Sequence, residues 1–470
     1  MQGNFKNPNL KVRFAPAPTG LMHIGNIRTA LLNYLIAKQK NGTFVIRIED
    51  TDPVRNFDPD GKKIIEHLNW LGLDYDEGPV KEGPSSPYFQ SKRTKFYQEK
   101  LDFLKDNNFA YRCFCTNEEL EKKRARQIAL KKPPRYDGKC VELSPEEIKN
   151  NLTANKPFIW RIKVDPSKTI TVNDIAKGKI TFELKNFSDF PITRQDGSFT
   201  FTLANCVDDI EMGITHVFRG EDHLTNSVDQ LIIFNAINAP APTYWHMPLI
   251  CNKDGKKLSK RDFGFSLEDL KAEGFLPEAI NNYLAIMGTS ITPEIQNLEQ
   301  LTKSYPFDNI SSSGHIKYDE EKLRWVNHKW IEQTDDSKLA ELCLPFLKAK
   351  YPQVEILEFE KLIQLIKTIK TDLVTLKESV KNSKFFFEAP KLNPKQISQE
   401  TRNVINKVIS STNQNLADLI KLETKAGGAQ AKIVFPEIRY ILTGNKKGPN
   451  LGDLIDTLGV EESISRLSKV

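Results

Sequence analysis

The chain has 470 residues, 39% hydrophobic and 27% charged, with a formal net charge of +6 and six cysteines. That length exceeds one hydrophobic core and implies roughly two to four domains, while the mild positive charge permits a nucleic-acid partner without demanding one. Six cysteines make no disulfide framework, no apolar run reaches a membrane span, and the opening MQGNFKNPNLK has no signal-peptide core, so a reducing cytoplasm is the expected setting.

LKVRFA, Leu10 to Ala15, is short, alternating and bounded by proline, which predicts a strand. Leu31, Leu32, Leu35 and Ile36 then recur at helical spacing, and TFVIRIED, Thr43 to Asp50, predicts a second strand. Strand, tight turn, helix and strand open a nucleotide-binding α/β fold, assigned to residues 1–109. NFDPDGKKIIEH approaches a calcium loop, but its closing position is His67, with Glu66 one residue early. A Pro-Asp-Gly turn before a helix is the better reading. Over 110–200 clustered cysteines, the basic stretch EELEKKRARQIALKK and the runs FIWRIKV and KITFELK predict an inserted α+β domain. From FTFTLANCVDD to YWHMPLI apolar strand texture returns, as in the second half of an interrupted parallel sheet, assigned to 201–254. A basic loop and helices occupy 255–325, and 326–470 is helical throughout.

Two stretches carry chemistry. In HIGN, His23 at a helix N-terminus can donate to a phosphate, and Gly25 lets a flat base approach the backbone because no Cβ intervenes. In GKKLSKRD, Gly255 to Asp262, basic side chains surround a serine in a glycine-led loop. Mobile lysines of this kind stabilise charge that develops on phosphates in a transition state. No G-x-x-x-x-G-K-[ST] and no protein-kinase signature occurs, so neither class of phosphate chemistry is supported.

APAPTGLMHIGN resembles the HIGH signature of class I aminoacyl-tRNA synthetases, and KLSKR resembles their KMSKS loop. RIEDTD, WLGLDYDEGP, PRYDGKC, THVFRGEDHLTNS, EGFLPEAINNYL, KLRWVNHKWI and ILTGNKKGPNL are similar to stretches of the glutamyl-tRNA synthetases, in order and over essentially the whole chain. The resemblance implies a Rossmann-type catalytic domain with an α+β insertion that holds the tRNA acceptor end, then an all-α anticodon-binding domain. It implies activation of L-glutamate by ATP with Mg²⁺ and transfer to the terminal adenosine of tRNA(Glu), and it leaves tRNA(Gln) open as a second acceptor. By the same resemblance His23, Gly25, Lys257 and Lys260 are catalytic, and Thr19, Gly20, Asn26, Glu221, Leu258 and Ser259 join them around ATP. Arg13, Ala15, Ala17, Glu49, Phe201, Asn205 and Arg219 match the glutamate pocket. The arginines suit a carboxylate by charge and shape, and Glu49 suits the substrate amine. The pocket's four polar members are expected at sheet ends, where such folds bind ligands. Ala17 stands where the family usually has serine, and Phe201 where it has tyrosine, so two hydroxyls are missing.

Some members of the family hold zinc in the insert with three cysteines and a histidine. Here Cys113, Cys115 and Cys140 are present, and the fourth position falls to Glu142 or Tyr136. Ordinary buried cysteines are the alternative. Arg135 in the insert and Lys370 and Arg439 in the C-terminal helical domain mark expected tRNA contacts, and the basic run Glu121–Lys139 that holds Arg135 is equally a solvated face. A monomer without membrane contact is expected. Glutaminyl-tRNA synthetase is disfavoured by RIEDTD and by the helical C-terminal third. A catalytically inactive tRNA-binding paralogue is disfavoured by intact His23, Gly25, Lys257 and Lys260.

Overall fold

The structure, a computed structural model, describes residues 9–52, 56–259, 262–307, 314–410 and 415–470. They form two compact units. One comprises the residues up to Leu267 together with Leu284–Asp319, the other Glu268–Tyr283 with Glu320–Val470.

The first unit begins with strand β1 (Lys11–Phe14), helix α1 (Ile24–Gln39) and strand β2 (Thr43–Ile46). β1 and β2 pair in parallel, Arg13 beside Val45. Both strands are covered on their two faces, which is why their sequence is nearly continuous in apolar residues. α1 supplies Ile27, Leu31, Leu32, Leu35 and Ile36 to that cover, all without solvent exposure. Each such side chain contributes about 1.5–3 kcal/mol of burial. Buried Arg28 donates to the carbonyls of Leu284 and Met287, both at 3.3 Å, and ties the front of the helix to that segment. Gly61, with φ near 60°, turns the chain into helix α2 (Lys62–Trp70), and α3 (Thr94–Asp106) follows.

The segment that follows divides its strands between two sheets. β3 (Ala110–Cys113), β4 (Ile159–Ile162) and β7 (Phe190–Pro191) form an antiparallel sheet of their own. Between β3 and β4 lie α4 (Asn117–Ala129) and α5 (Pro145–Thr153), each started by a capping box and neither burying a residue. The hairpin β5 (Thr169–Asp174) and β6 (Gly178–Glu183) goes elsewhere. β5 runs parallel to β9 (Thr243–Met247), and β9 pairs with β8 (His216–Gly220), giving the order β6-β5-β9-β8. Thr215, just before β8, donates its N–H to the Lys11 carbonyl at 2.9 Å, so the two halves of the nucleotide fold meet there.

One expected element differs. FTFTLANCVDD is not strand: Phe201–Glu211 is helix α6. Its residues Leu203 to Asp209 are all buried, so the run looks apolar without any helical stripe. Its β-branched and aromatic start imitates a strand, and tertiary burial decides otherwise. α7 (Leu224–Ile237) packs beside it.

The second unit is helical among its described residues, as expected for the C-terminal third. Asn327 accepts from the Leu276 N–H at 2.8 Å, and Arg466 donates to the carbonyls of Phe385 and Leu442 at 2.7 and 2.6 Å. These bonds satisfy polar groups inside the bundle.

Candidate active site

HIGN does form the start of α1. His23 is the N-cap: its Nδ1 accepts from the Asn26 N–H at 3.3 Å, and Asn26 Oδ1 accepts in return from the His23 N–H at 3.4 Å. With Nδ1 accepting, the neutral ring carries its proton on Nε2 and can donate from there. Burial, reinforced by Lys257, lowers its pKa to about 4, so the ring is neutral at working pH. A Cβ on Gly25 would lie 3.0 Å from the His23 ring atoms Cε1 and Nδ1. The glycine therefore makes room for the histidine itself, a reason additional to the approach of a base.

A cavity of about 350 Å³ opens at this helix start, lined by His23, Gly25, Asn26, Thr29, Asp222, His223, Pro248, Lys257, Leu258 and Phe265 among others. The loop after β9 reaches it through backbone pairing: Leu258 N–H donates to the Ile250 carbonyl, and Ile24 N–H to the Phe265 carbonyl, both at 3.0 Å. Phe265 sets its ring 5.1 Å from the His23 ring. Lys257 Nζ pairs with Asp222 at 2.7 Å. Ser259 is turned to Asp262 through both its N–H and its hydroxyl. Glu221 lies beside the cavity, accepting from the Leu249 N–H and pairing with Lys177. Thr19 and Gly20 are exposed and do not line it. Lys260 lies outside the described residues.

The second cluster is buried and charged. Arg13 and Arg47 share Asp209: Arg13 Nε reaches Oδ1 at 3.2 Å and Arg47 NH1 reaches the same oxygen at 2.8 Å. Arg47 also donates to Glu49 at 3.2 Å, and Asn205 Nδ2 donates to that carboxylate at 2.5 Å. Gln230 in turn donates to Asn205 Oδ1 at 2.7 Å. Asp208 accepts from Arg93, Gln90 and Tyr97. Burial would raise the Asp209 carboxyl, but Arg13 and Arg47 outweigh it and hold it below its usual range. Burial wins at Glu49, whose pKa is raised. Three guanidinium groups thus face three carboxylates. Arg219, at the end of β8, is the exception. It is buried, its NH2 donates to the Ser227 hydroxyl at 2.5 Å, and its Nε meets no acceptor. Among the described residues no carboxylate pairs with it, and burial lowers its pKa. Arg13 and Arg219 act on His223, which faces both the cavity and this cluster; burial first, then Arg219, lowers its pKa.

Comparison with known proteins bears directly on this pairing of cavity and cluster. The family described as tRNA synthetases class I (E and Q), catalytic domain, matches residues 9–325, and an anticodon binding domain matches 338–470. This chain is a class I tRNA synthetase of the E and Q family. It is 37% identical to the glutamate–tRNA ligase of Carboxydothermus hydrogenoformans over 97% of the chain and 99% of that protein. It is likewise 37% identical to the glutamate–tRNA ligase of Bacillus subtilis strain 168, over 98% and 99%. A crystal structure of a glutamate tRNA ligase from Elizabethkingia meningosepticum, in complex with its amino acid, superposes with a TM-score of 0.88 at 32% identity, covering 98% and 99% of the two chains.

In the synthetase, Arg13 and Arg219 lie one residue before the ends of β1 and β8 and Glu49 just beyond β2, but Asn205 does not lie at a sheet end as expected. It sits in the second turn of α6, which is what carries it to Glu49. Ala15 is half-buried, Ala17 exposed, and Phe201 sets its ring 6.4 Å from His223. Asp208 and Asp209 are not among the residues expected from the sequence, although two adjacent acids inside an apolar run are a visible signal, since such acids need buried cations.

The thiols of Cys113, Cys115 and Cys140 converge, their sulfurs all within 4.8 Å of one another and those of Cys115 and Cys140 3.6 Å apart. Of the two candidates for a fourth ligand, Tyr136 belongs to the cluster: its hydroxyl is 3.4 Å from the Cys113 sulfur and accepts from the Cys140 N–H at 3.0 Å. Glu142 is exposed and stands outside the cluster, because the chain turns out to solvent after Cys140. The synthetase holds its three expected RNA contacts by intramolecular bonds. Arg135 donates to the Lys185 carbonyl, Lys370 pairs with Asp336, and Arg439 donates to the Pro449 carbonyl. Among the described residues no helix is long and apolar enough to cross a membrane.

Proposed function

We infer that the chain is a glutamate–tRNA ligase whose two substrates of activation occupy the two clusters: ATP in the cavity at His23, glutamate in the charged cluster at Arg219. The observation that carries the second half is the charge count. Arg13, Arg47 and Arg93 are balanced by protein carboxylates, and Arg219 is buried without one among the described residues. A buried guanidinium so placed is complete when an anionic side chain supplies the missing partner. Glu49, held by Arg47 and Asn205, is then the acceptor for the substrate's ammonium.

Activation requires a glutamate α-carboxylate oxygen to bond the α-phosphorus of ATP while the bond to pyrophosphate breaks. No protein nucleophile takes part, so positioning and charge stabilisation supply the rate. We assign His23 Nε2–H and the Gly25 N–H, at the start of α1, to the phosphates. Lys257 and Lys260 are assigned to the charge that builds on the leaving pyrophosphate, and Mg²⁺ accompanies ATP through phosphate oxygens and water. The terminal adenosine hydroxyl of the tRNA then attacks the activated carbonyl and AMP leaves. We assign the tRNA acceptor end to residues 110–200 and the anticodon to 326–470. Arg135, Lys370 and Arg439 exchange their intramolecular bonds if they contact RNA.

The thiol cluster fits zinc. Thiolates at about 2.3 Å from a tetrahedral ion stand roughly 3.8 Å apart, and the Cys115–Cys140 sulfur separation is 3.6 Å. Cys113, Cys115, Cys140 and Tyr136 would hold it, and it would pin β3 to the loop before α5. Elemental analysis is expected to give close to one equivalent; less than a tenth removes the assignment. The six cysteines are free thiols, which suits the cytoplasm as the working compartment.

Aminoacylation tests the whole reading. With ATP and Mg²⁺, labelled glutamate is expected on a tRNA(Glu) transcript and labelled glutamine on neither that transcript nor tRNA(Gln). A tRNA(Gln) transcript in the same assay reports whether the ligase also accepts it. Binding of transcripts without attachment of either amino acid would overturn it.

A further inference from the structure

Behind Arg219 runs a polar chain through four separate elements. Arg219 on β8 donates to Ser227 Oγ on α7 at 2.5 Å. Ser227 Oγ lies 2.6 Å from His246 Nε2 on β9, and His246 Nδ1 lies 2.8 Å from Asp174 Oδ2 at the end of β5. Ser227 and His246 have no solvent exposure, and Asp174 has 4%. The proton directions are forced. Arginine can only donate, so Ser227 Oγ accepts there and has one proton left to give. Its near acceptor is His246 Nε2, the alternative being the His223 carbonyl at 3.3 Å. Nε2 must then be bare, which puts the ring proton on Nδ1, against the Asp174 carboxylate. Asp174 is fixed in turn: Oδ2 accepts the His246 N–H at 2.8 Å, and Oδ1 the N–H groups of Ala176 and Lys177 at 2.9 and 2.7 Å. Burial keeps His246 neutral by lowering its pKa. Tyr244 completes the support, its ring 5.0 Å below the guanidinium and stacked at 5.4 Å on the imidazole.

We propose that Ser227, His246 and Asp174 are positioning residues that lock the Arg219 guanidinium in the orientation that receives a carboxylate, and so set the preference for glutamate over glutamine. The proposal rests on the assignment of Arg219 to the substrate side chain. A guanidinium that can swing would also meet the carbonyl oxygen of an amide. One locked with its N–H groups toward both substrate oxygens leaves the amide –NH₂ facing a donor, and that mismatch rejects glutamine.

The test uses the full-length enzyme and steady-state KM values for glutamate and for ATP, together with misacylation by glutamine. Ser227→Ala is expected to raise KM for glutamate about tenfold, the loss of one charge-assisted hydrogen bond. KM for ATP should stay near its starting value, and the glutamate-to-glutamine ratio should fall. Ser227→Thr, which keeps the hydroxyl, should restore both. His246→Ala should reproduce the Ser227→Ala effect, and the double variant should be no worse than the poorer single, because both act through one chain. Equal rises in both KM values, failure of threonine to rescue, or multiplying effects would overturn the proposal. If His246→Ala does not fold, the alanine–threonine comparison at Ser227 decides alone. Arg219→Lys separates the two levels: unchanged KM for glutamate there sinks the assignment of Arg219 itself. A large change there beside a wild-type Ser227→Ala sinks only the positioning chain.

Discussion

The two clusters hold charge in opposite ways. In the charged cluster, the corner assigned to glutamate, Arg47 and Asp208 are wholly buried and Arg93 nearly so, and each guanidinium is met by a carboxylate or a hydroxyl within 3.2 Å. In the cavity assigned to ATP the Lys257 side chain is 62% exposed and its partner Asp222 40%. Two unit charges at 4 Å interact by about 1 kcal/mol in water and about 4 kcal/mol at the effective dielectric of a protein site. Recognition of one small carboxylate over its amide needs the second regime, where charge is fixed before the ligand arrives. Stabilising pyrophosphate as it departs needs cations that can follow it, and lysines on an exposed loop can.

This contrast is broken most directly through stability. Asp209→Ala leaves Arg13 and Arg47 short of their shared carboxylate in a buried site, and breaking such a pair costs about 3–5 kcal/mol. Asp222→Ala removes an ion pair that is half in water, worth at most about 1 kcal/mol. Urea unfolding of the two variants beside the parent is the measurement. Equal losses would mean that the corner is no more organised than the cavity.

Next in size is the loop. Lys260→Ala is expected to slow adenylate formation on the order of 10²–10³-fold, the usual effect of removing one group that stabilises transition-state charge. Affinity for tRNA should hold. Single-turnover rates equal to the parent's would take the lysine out of the chemistry and leave the cavity a binding site only.

The same contrast governs what was legible in the sequence. HIGN, Arg13 and Arg219 stand in short stretches whose chemistry is local, and the helix start and strands predicted there are present, whereas β2 ends at Ile46 and leaves Glu49 just beyond it. Asp209 was hidden because its partners, Arg13 and Arg47, lie far upstream and join it only when α6 packs under the first parallel strands. The sequence pattern puts Asn205 on a strand, since a helix buried on all sides shows no amphipathic stripe. The Asp174–His246 bond depends on β5 joining the sheet of β9. That joining is a matter of strand order, on which local pattern is silent.

The cavity can be sharpened by pH. His23 has a pKa lowered to about 4, below its unfolded value of 6.5. Between those values the unfolded chain binds the proton and the folded one does not. The linkage relation then makes stability rise with pH across the window, and a half-buried histidine held neutral costs stability as pH falls from about 6.5 toward 4. His23→Asn keeps a capping side chain and has nothing to titrate. Relative to it the parent should lose stability from pH 7 to pH 5, read from urea midpoints at both pH values. A constant gap would mean that His23 is solvated and titrates normally, and that the helix start does not keep its ring neutral as the phosphate assignment requires.

The smallest effect tests how complete the corner is without the two family hydroxyls. Ala17 is exposed and Phe201 half-buried against His223. Neither position carries charge, and the carboxylate–guanidinium network lies behind them. A hydroxyl restored by Ala17→Ser or Phe201→Tyr can add one neutral hydrogen bond to the substrate, about 1 kcal/mol or a factor of about five in KM for glutamate. Because the bond would form equally in the ground and transition states, kcat should not follow. A gain far above fivefold, or a matching rise in kcat, would mean that the hydroxyl reorganises Arg13 or Glu49. The charges of the corner would then be less fixed before substrate binds than their short internal bonds imply.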